Sequence, residues 1–246
     1  MPPRILILGG TAEARDLAAT LIGEGYDVVS SLAGVTKTPL LPRGEVRRGG
    51  FGGEEGLLDY LRDGKIDAVV DATHPFAATI SRHAHGAAAR AGIPYCRLER
   101  PEWVPEPGDV WIDAATAADA AARLPTGASV LLTIGRQTIE PFVARPDLSG
   151  LVRMIEEPPH TLPERWTLVL ARPPFSLDGE IRLIVDNRIT HLVSKNAGGE
   201  DGRAKLKAAR ETKIPVVMIA RPAKPETAAL WPARAVVRAL RNLLSP

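Results

Sequence analysis

Arg4-Ile5-Leu6-Ile7-Leu8-Gly9-Gly10-Thr11-Ala12-Glu13-Ala14-Arg15 is the stretch whose reading decides how this chain folds. The apolar residues run continuously up to Leu8, with no polar alternation. A strand of that kind is buried on both faces, as in a parallel sheet covered by helices. Two glycines end it. Thr11 is then placed to cap a helix whose Ala14, Leu17, Ala18, Leu21 and Ile22 fall on one stripe. Gly25 stops that helix and Asp27-Val28-Val29-Ser30 starts a second strand, so the first 30 residues read β-α-β.

The alternation continues outward from there. Strands are expected at 45–47, 68–70 and 94–98, with helices at 54–62 and from Pro75 to Ala91. Pro101, Pro105 and Pro107 then mark 101–108 as a hinge between an N-terminal lobe, 1–100, and a C-terminal lobe, 109–246. Beyond the hinge, strand-like runs fall at 110–112, 130–133, 151–155, 167–170, 191–193 and 216–219. Helical runs fall at 114–123, 178–187, 204–212 and 227–243. Crossovers between parallel strands must be covered by helices. The expected architecture is therefore α/β: two Rossmann-like, doubly wound lobes with parallel sheets and a cleft between them. Whether Trp231–Leu244 packs on its own lobe or returns to the first stays open.

Composition excludes several function classes. The 31 basic and 29 acidic residues leave a net charge of +2, with no run of five basic residues to track a nucleic acid. No signal peptide opens the sequence, and no apolar stretch of about 18 residues would span a membrane. A cytoplasmic protein with no nucleic-acid or membrane partner is expected. The lone Cys96 cannot form an internal disulfide and reads as a buried structural thiol. His83 and His85 lack metal-ligand spacing, and no metal is expected.

In open parallel sheets, ligands bind beyond the carboxyl ends of the strands. Five segments stand there. Gly9, Gly10, Thr11, Glu13 and Arg15 suit close approach of a phosphate to a helix start, and equally a capped β-to-α turn. Ser30, Ser31, Gly34, Thr36 and Lys37 follow the second strand without an acidic residue. That suits the 2′-phosphate of NADPH, or an ordinary polar loop. Asp71 and His74, with Thr73 between them, end the 68–70 strand as a catalytic pair or a structural one. Arg136, after Gly135, offers a fork for a carboxylate or phosphate. Lys195, Asn196, Gly198 and Gly199 read as an anion- or ligand-binding loop.

Together these segments resemble the precorrin-6A reductases of cobalamin corrin-ring biosynthesis. The resemblance is carried by Leu8-Gly9-Gly10-Thr11-x-Glu13-x-Arg15, Ser31-Leu32-Ala33-Gly34 and Arg48-Gly49-Gly50-Phe51-Gly52. It continues through Asp71-Ala72-Thr73-His74-Pro75-Phe76-Ala77, Arg100-Pro101-x-Trp103 and Thr133-Ile134-Gly135-Arg136. Ser194-Lys195-Asn196-x-Gly198-Gly199, Ala204-Lys205-Leu206 and Ile214-Pro215-Val216-Val217 complete it.

The resemblance implies a two-lobed oxidoreductase that transfers hydride from NADPH to a double bond of a polycarboxylated tetrapyrrole. Precorrin-6A would become precorrin-6B. The cofactor contacts expected are Gly9, Gly10, Thr11, Glu13, Arg15, Ser30, Ser31, Gly34, Thr36, Lys37 and Thr73. Substrate contacts would come from Arg136, Lys195, Asn196, Gly198, Gly199 and Lys205. His74 would donate or orient the proton, with Asp71 setting its tautomer, or solvent would donate it; Lys195 joins them as a catalytic candidate. Transient contact with neighbouring pathway enzymes is a further expectation. The alternatives are a cobalt-precorrin-6A reductase and an NADPH sensor without turnover. A short-chain-type reductase would want Tyr-x-x-x-Lys, whereas Tyr26, Tyr60 and Tyr95 are followed four positions on by Ser30, Gly64 and Glu99.

Overall fold

The structure is a computed structural model that describes residues 1–34, 40–158 and 160–244. It divides into two units, one of Met1–Pro101 with Pro222–Pro246, the other of Glu102–Arg221.

The first unit runs β1 (Arg4–Leu8), α1 (Ala12–Gly23), β2 (Asp27–Leu32), β3 (Glu45–Arg48), α2 (Gly53–Asp63), β4 (Ala68–Asp71), α3 (Ala78–Ala91) and β5 (Tyr95–Leu98). The second runs β6 (Trp111–Ala114), α4 (Ala117–Arg123), β7 (Ser129–Leu132), α5 (Glu140–Val143), β8 (Ser149–Met154), β9 (Trp166–Leu170), α6 (Leu177–Asp186), β10 (His191–Lys195), α7 (Arg203–Glu211) and β11 (Val216–Ile219). The chain then returns to the first unit with β12 (Ala229–Leu230) and α8 (Ala233–Leu244).

Every strand pairing is parallel. The first sheet has the order β12-β5-β4-β1-β2-β3 and the second β6-β11-β10-β7-β8-β9. Each is the doubly wound order, whose direction reverses between β1 and β4 and again between β7 and β10. The sixth strand of each sheet comes from outside the run of the other five. β6 precedes its five partners, and β12 follows the whole second unit.

The opening apolar run is explained by its two neighbours. Ile5 and Ile7 pack with Leu17 and Leu21 of α1 and with Val236, Val237 and Leu240 of α8. Leu6 and Leu8 face the other way, toward Leu57, Leu58 and Leu61 of α2 and the alanines of α3. Each such side chain contributes about 1.5–3 kcal/mol on burial, which is why no polar residue interrupts the strand.

Four expectations are corrected. The second lobe does not extend to 246, because α8 packs on β1 and α1. Residues 102–108 of the expected hinge belong to the second unit, where Trp103 is buried and Arg210 binds both Asp109 and Glu106 at 2.8 Å. Helix α3 begins at Ala78 rather than Pro75, since Ala77 N–H donates to the His74 carbonyl and closes a separate turn. The expected 227–243 helix is split into β12 and α8 at Pro232, which lacks an N–H and restricts the residue before it. No helix among the described residues is long and apolar enough to cross a membrane.

Candidate functional site

Strands β1 and β4 send their connections to opposite faces of the first sheet, which opens a crevice at their carboxyl ends. Gly9 N–H donates to the Ser31 carbonyl (2.9 Å), fixing where β1 stops. Gly10 follows with φ of +110°, a conformation that side-chain-bearing residues rarely adopt. Thr11 caps α1 by accepting from Ala14 N–H (3.1 Å), and its hydroxyl donates to the Ala72 carbonyl (2.9 Å). The turns after β1 and β4 are thereby tied together, with the first N–H groups of α1 at their edge. Thr11, Glu13, Ala72, Thr73, Pro75, Leu98, Glu99 and Arg100 line one pocket there. Glu13 pairs with Arg100 at 2.7 Å, and Arg15 reaches back to the Thr11 carbonyl at 3.3 Å.

The end of β2 is built differently. Ser30 and Ser31 are buried and Gly34 has φ of +75°. Arg47 of β3 donates to the Ser31 hydroxyl (3.3 Å) and to the carbonyls of Gly49 and Gly50 (2.6 Å each). Its guanidinium lies 3.7 Å from the Phe51 ring centroid. Arg47 was not singled out from sequence. Its signal is faint, a charged residue beside a Gly-Gly pair on a short strand. Thr36 and Lys37 lie outside the described residues.

Asp71 is the residue expected to set the His74 tautomer. Its buried carboxylate accepts from Thr73 N–H (3.1 Å) and hydroxyl (2.6 Å) and from Tyr95 hydroxyl (2.9 Å). Burial first, and then the adjacent Asp71 charge, push the Tyr95 phenol well above its ordinary pKa, so it stays a donor. His74 instead accepts from Phe76 N–H at Nδ1 (3.2 Å). In a neutral ring, that bond leaves the proton to Nε2.

In the second unit the equivalent crevice lies between β7 and β10. Thr133 donates both its N–H (3.1 Å) and its hydroxyl (3.0 Å) to the Val193 carbonyl. Gly135 then turns with φ of +78° into Arg136. Lys195 ends β10 half-buried, and burial lowers its ammonium pKa below the usual lysine value.

Asn196, Gly199 and Lys205, expected as ligand contacts, all meet Trp103. The Asn196 amide accepts from Trp103 N–H (2.9 Å) and donates to its carbonyl (3.0 Å). The Trp103 indole N–H donates to the Gly199 carbonyl (2.8 Å), and Lys205 Nζ lies 5.4 Å from the ring centroid. Gly198 is buried within the same loop. Trp103 thus holds the loop after β10, together with Arg221, which donates to the carbonyls of Asn196 (2.9 Å) and Ala197 (3.1 Å). In the sequence Trp103 appears only within Arg100-Pro101-x-Trp103, a large aromatic amid prolines.

Residues 4–241 match the family model described as precorrin-6x reductase CbiJ/CobK. A precorrin-6A reductase of Rhodococcus erythropolis is 53% identical over 224 residues, 90% of each chain. One from Mycobacterium tuberculosis is 49% identical over the same share of each. A cobalt-precorrin-6A reductase of Priestia megaterium is 29% identical over 89% of this chain and 90% of its own. The solved structure of a CobK precorrin-6A reductase superposes with a TM-score of 0.93 at 40% identity, covering 99% of this chain and 98% of that one.

Proposed function

Because the chain belongs to the precorrin-6x reductase family, we propose that it reduces precorrin-6A to precorrin-6B with NADPH. The cobalt-free substrate is favoured by the higher identity to the precorrin-6A reductases, 53% against 29% for a cobalt-precorrin relative.

The carrying observation is the pair of strand ends in the first unit. The Gly9-Gly10-Thr11 turn and the start of α1 suit a pyrophosphate, since free helix N–H groups and the helix dipole both favour an anion. Ser31 with Arg47 suits a 2′-phosphate, where a ribose-binding carboxylate would repel it. Bound there, NADPH supplies the hydride. Thr73, Glu13 and Arg15 complete the cofactor-binding residues in this reading, and the second unit offers Arg136 and Lys195 to carboxylates of the macrocycle.

One carbon of the reduced double bond receives the hydride and its partner atom takes a proton. His74 is the donor in this reading, with Nδ1 accepting from Phe76 N–H and the proton on Nε2. His74→Ala is expected to lower kcat about 100-fold, within the usual range for a positioned acid. Unchanged turnover would assign the proton to solvent.

The direct test is the anaerobic loss of reduced-nicotinamide absorbance with precorrin-6A, beside an NADH control. Substrate-dependent oxidation that prefers NADPH is expected, whereas nucleotide binding without turnover would favour a sensor. Arg47→Met separates the phosphate role from a loop role. It should weaken NADPH binding roughly 10-fold or more while moving NADH little, as for one lost charge-assisted contact. Equal weakening of both nucleotides would mean that Arg47 acts only by shaping the Gly49-Gly50 loop.

A further inference from the structure

The pocket beyond β1 and β4 of the first unit presents acceptors. Glu13, in its lining, gives one carboxylate oxygen, Oε1, to Arg100 at 2.7 Å. The other, Oε2, is buried and accepts no hydrogen bond from any described residue. A carboxylate oxygen buried in that way is costly, and a bound donor relieves the cost. Thr73 adds a second acceptor to the lining. Its one hydroxyl proton goes to Asp71 Oδ1 at 2.6 Å, so the Thr73 oxygen keeps only lone pairs for a ligand. Thr11 is committed at both ends, accepting from Ala14 N–H and donating to the Ala72 carbonyl. A phosphate or carboxylate would bring only further acceptors, whereas an N–H or O–H group meets what the pocket offers.

We propose that this pocket takes an uncharged hydrogen-bond donor of the cofactor's nicotinamide half, the carboxamide NH2 or the ribose hydroxyls, with Glu13 as the residue that recognises it. The inference rests on the reading of NADPH as the cofactor and deepens it by dividing the nucleotide. Phosphates belong to the Gly9-Gly10 turn and to Ser31 with Arg47, and donors belong to Glu13 with Thr73. Arg100 is a positioning residue here: by holding Oε1 it leaves Oε2 for the ligand. Tyr95 stands one step further back, since its hydroxyl holds the Asp71 carboxylate (2.9 Å) that takes the Thr73 proton. A carboxamide carries two N–H donors and a ribose two hydroxyls, so either has enough for both acceptors. A site built in this way rejects an analogue that lacks the donor, because its own buried oxygen is then left unpaired.

The test is titration calorimetry of the full chain with three nucleotides. These are NADPH, its reduced 3-acetylpyridine analogue, whose methyl ketone has no N–H, and 2′,5′-ADP, which lacks the nicotinamide half. The reduced ring is uncharged, so a change at Glu13 is not read as lost attraction to a cation. E13Q is nearly isosteric and keeps an oxygen for Arg100, but turns an NH2 toward the ligand. It should weaken NADPH about 10-fold or more and leave 2′,5′-ADP unmoved, which also shows that the variant is folded. T73V should weaken NADPH severalfold, and T73S should restore it. If the wild type binds the acetylpyridine analogue more weakly than NADPH and E13Q abolishes that difference, the donor is the carboxamide. If E13Q weakens both by the same factor, the donor is the ribose. Unaltered NADPH binding by E13Q, or an equal loss for 2′,5′-ADP, would overturn the role of Glu13 and leave the cofactor reading intact. Wild-type protein that binds neither NADPH nor 2′,5′-ADP would overturn that reading itself.

Discussion

Trp103→Ala is expected to destabilise the second unit by about 3–5 kcal/mol, the usual cost of emptying a large buried aromatic site. Trp103 is 5% exposed and packs among Leu131, Leu151, Leu192 and Leu206. Its removal also leaves the Gly199 carbonyl without its donor. A Cβ at Gly202 would stand 2.9 Å from the indole ring, so the site is shaped closely around this side chain. The effect should extend to function, because the loop after β10 that carries Lys195 is held by Trp103. Trp103→Phe separates the two contributions. It keeps most of the apolar volume but drops the indole N–H, so it should retain most stability and weaken substrate binding. If Trp103→Ala unfolds at the wild-type denaturant concentration, the anchoring role is wrong.

Glu180→Ala should cost a similar 3–5 kcal/mol, by a different mechanism. Glu180 and Arg153 form an ion pair at 2.5 Å with side chains only 1% and 8% exposed, and the guanidinium lies 3.9 Å from the Phe175 ring centroid. Removing one partner leaves a buried charge uncompensated, whereas replacing both by apolar residues is often neutral or stabilising. The double variant R153M/E180L is therefore expected to recover much of what E180A loses. Urea denaturation followed by tryptophan fluorescence reads this well, since Trp103, Trp111 and Trp166 all belong to the second unit and only Trp231 to the first. If E180A and the double variant are equally destabilised, size rather than charge explains the loss.

The parts of the fold legible in the sequence are those set by local rules. The apolar run of β1 and the Thr11 cap of α1 concern residues within a few positions of one another, and both appear where expected. Pro232 is equally local, yet its strand-then-helix outcome depends on β12 finding β5, some 130 residues earlier in the chain. The site divides in the same way. Gly9, Gly10, Thr11 and Arg136 are placed by the strand ends that precede them. Asp71 and Asn196 looked like free functional groups because their partners, Tyr95 and Trp103, are set by tertiary packing.

The return of residues 222–246 to the first unit also bears on how the chain is made. Ile5, Ile7, Leu17 and Leu21 are synthesised early, but Val236, Val237 and Leu240, which cover them, emerge only after the whole of Glu102–Arg221. Those intervening 120 residues (221 − 102 + 1) take roughly 6–24 s at ribosomal rates of about 5–20 residues per second. Through that interval the nascent chain carries an uncovered apolar groove, a standing substrate for chaperones. The unit translated first is the one that matures last.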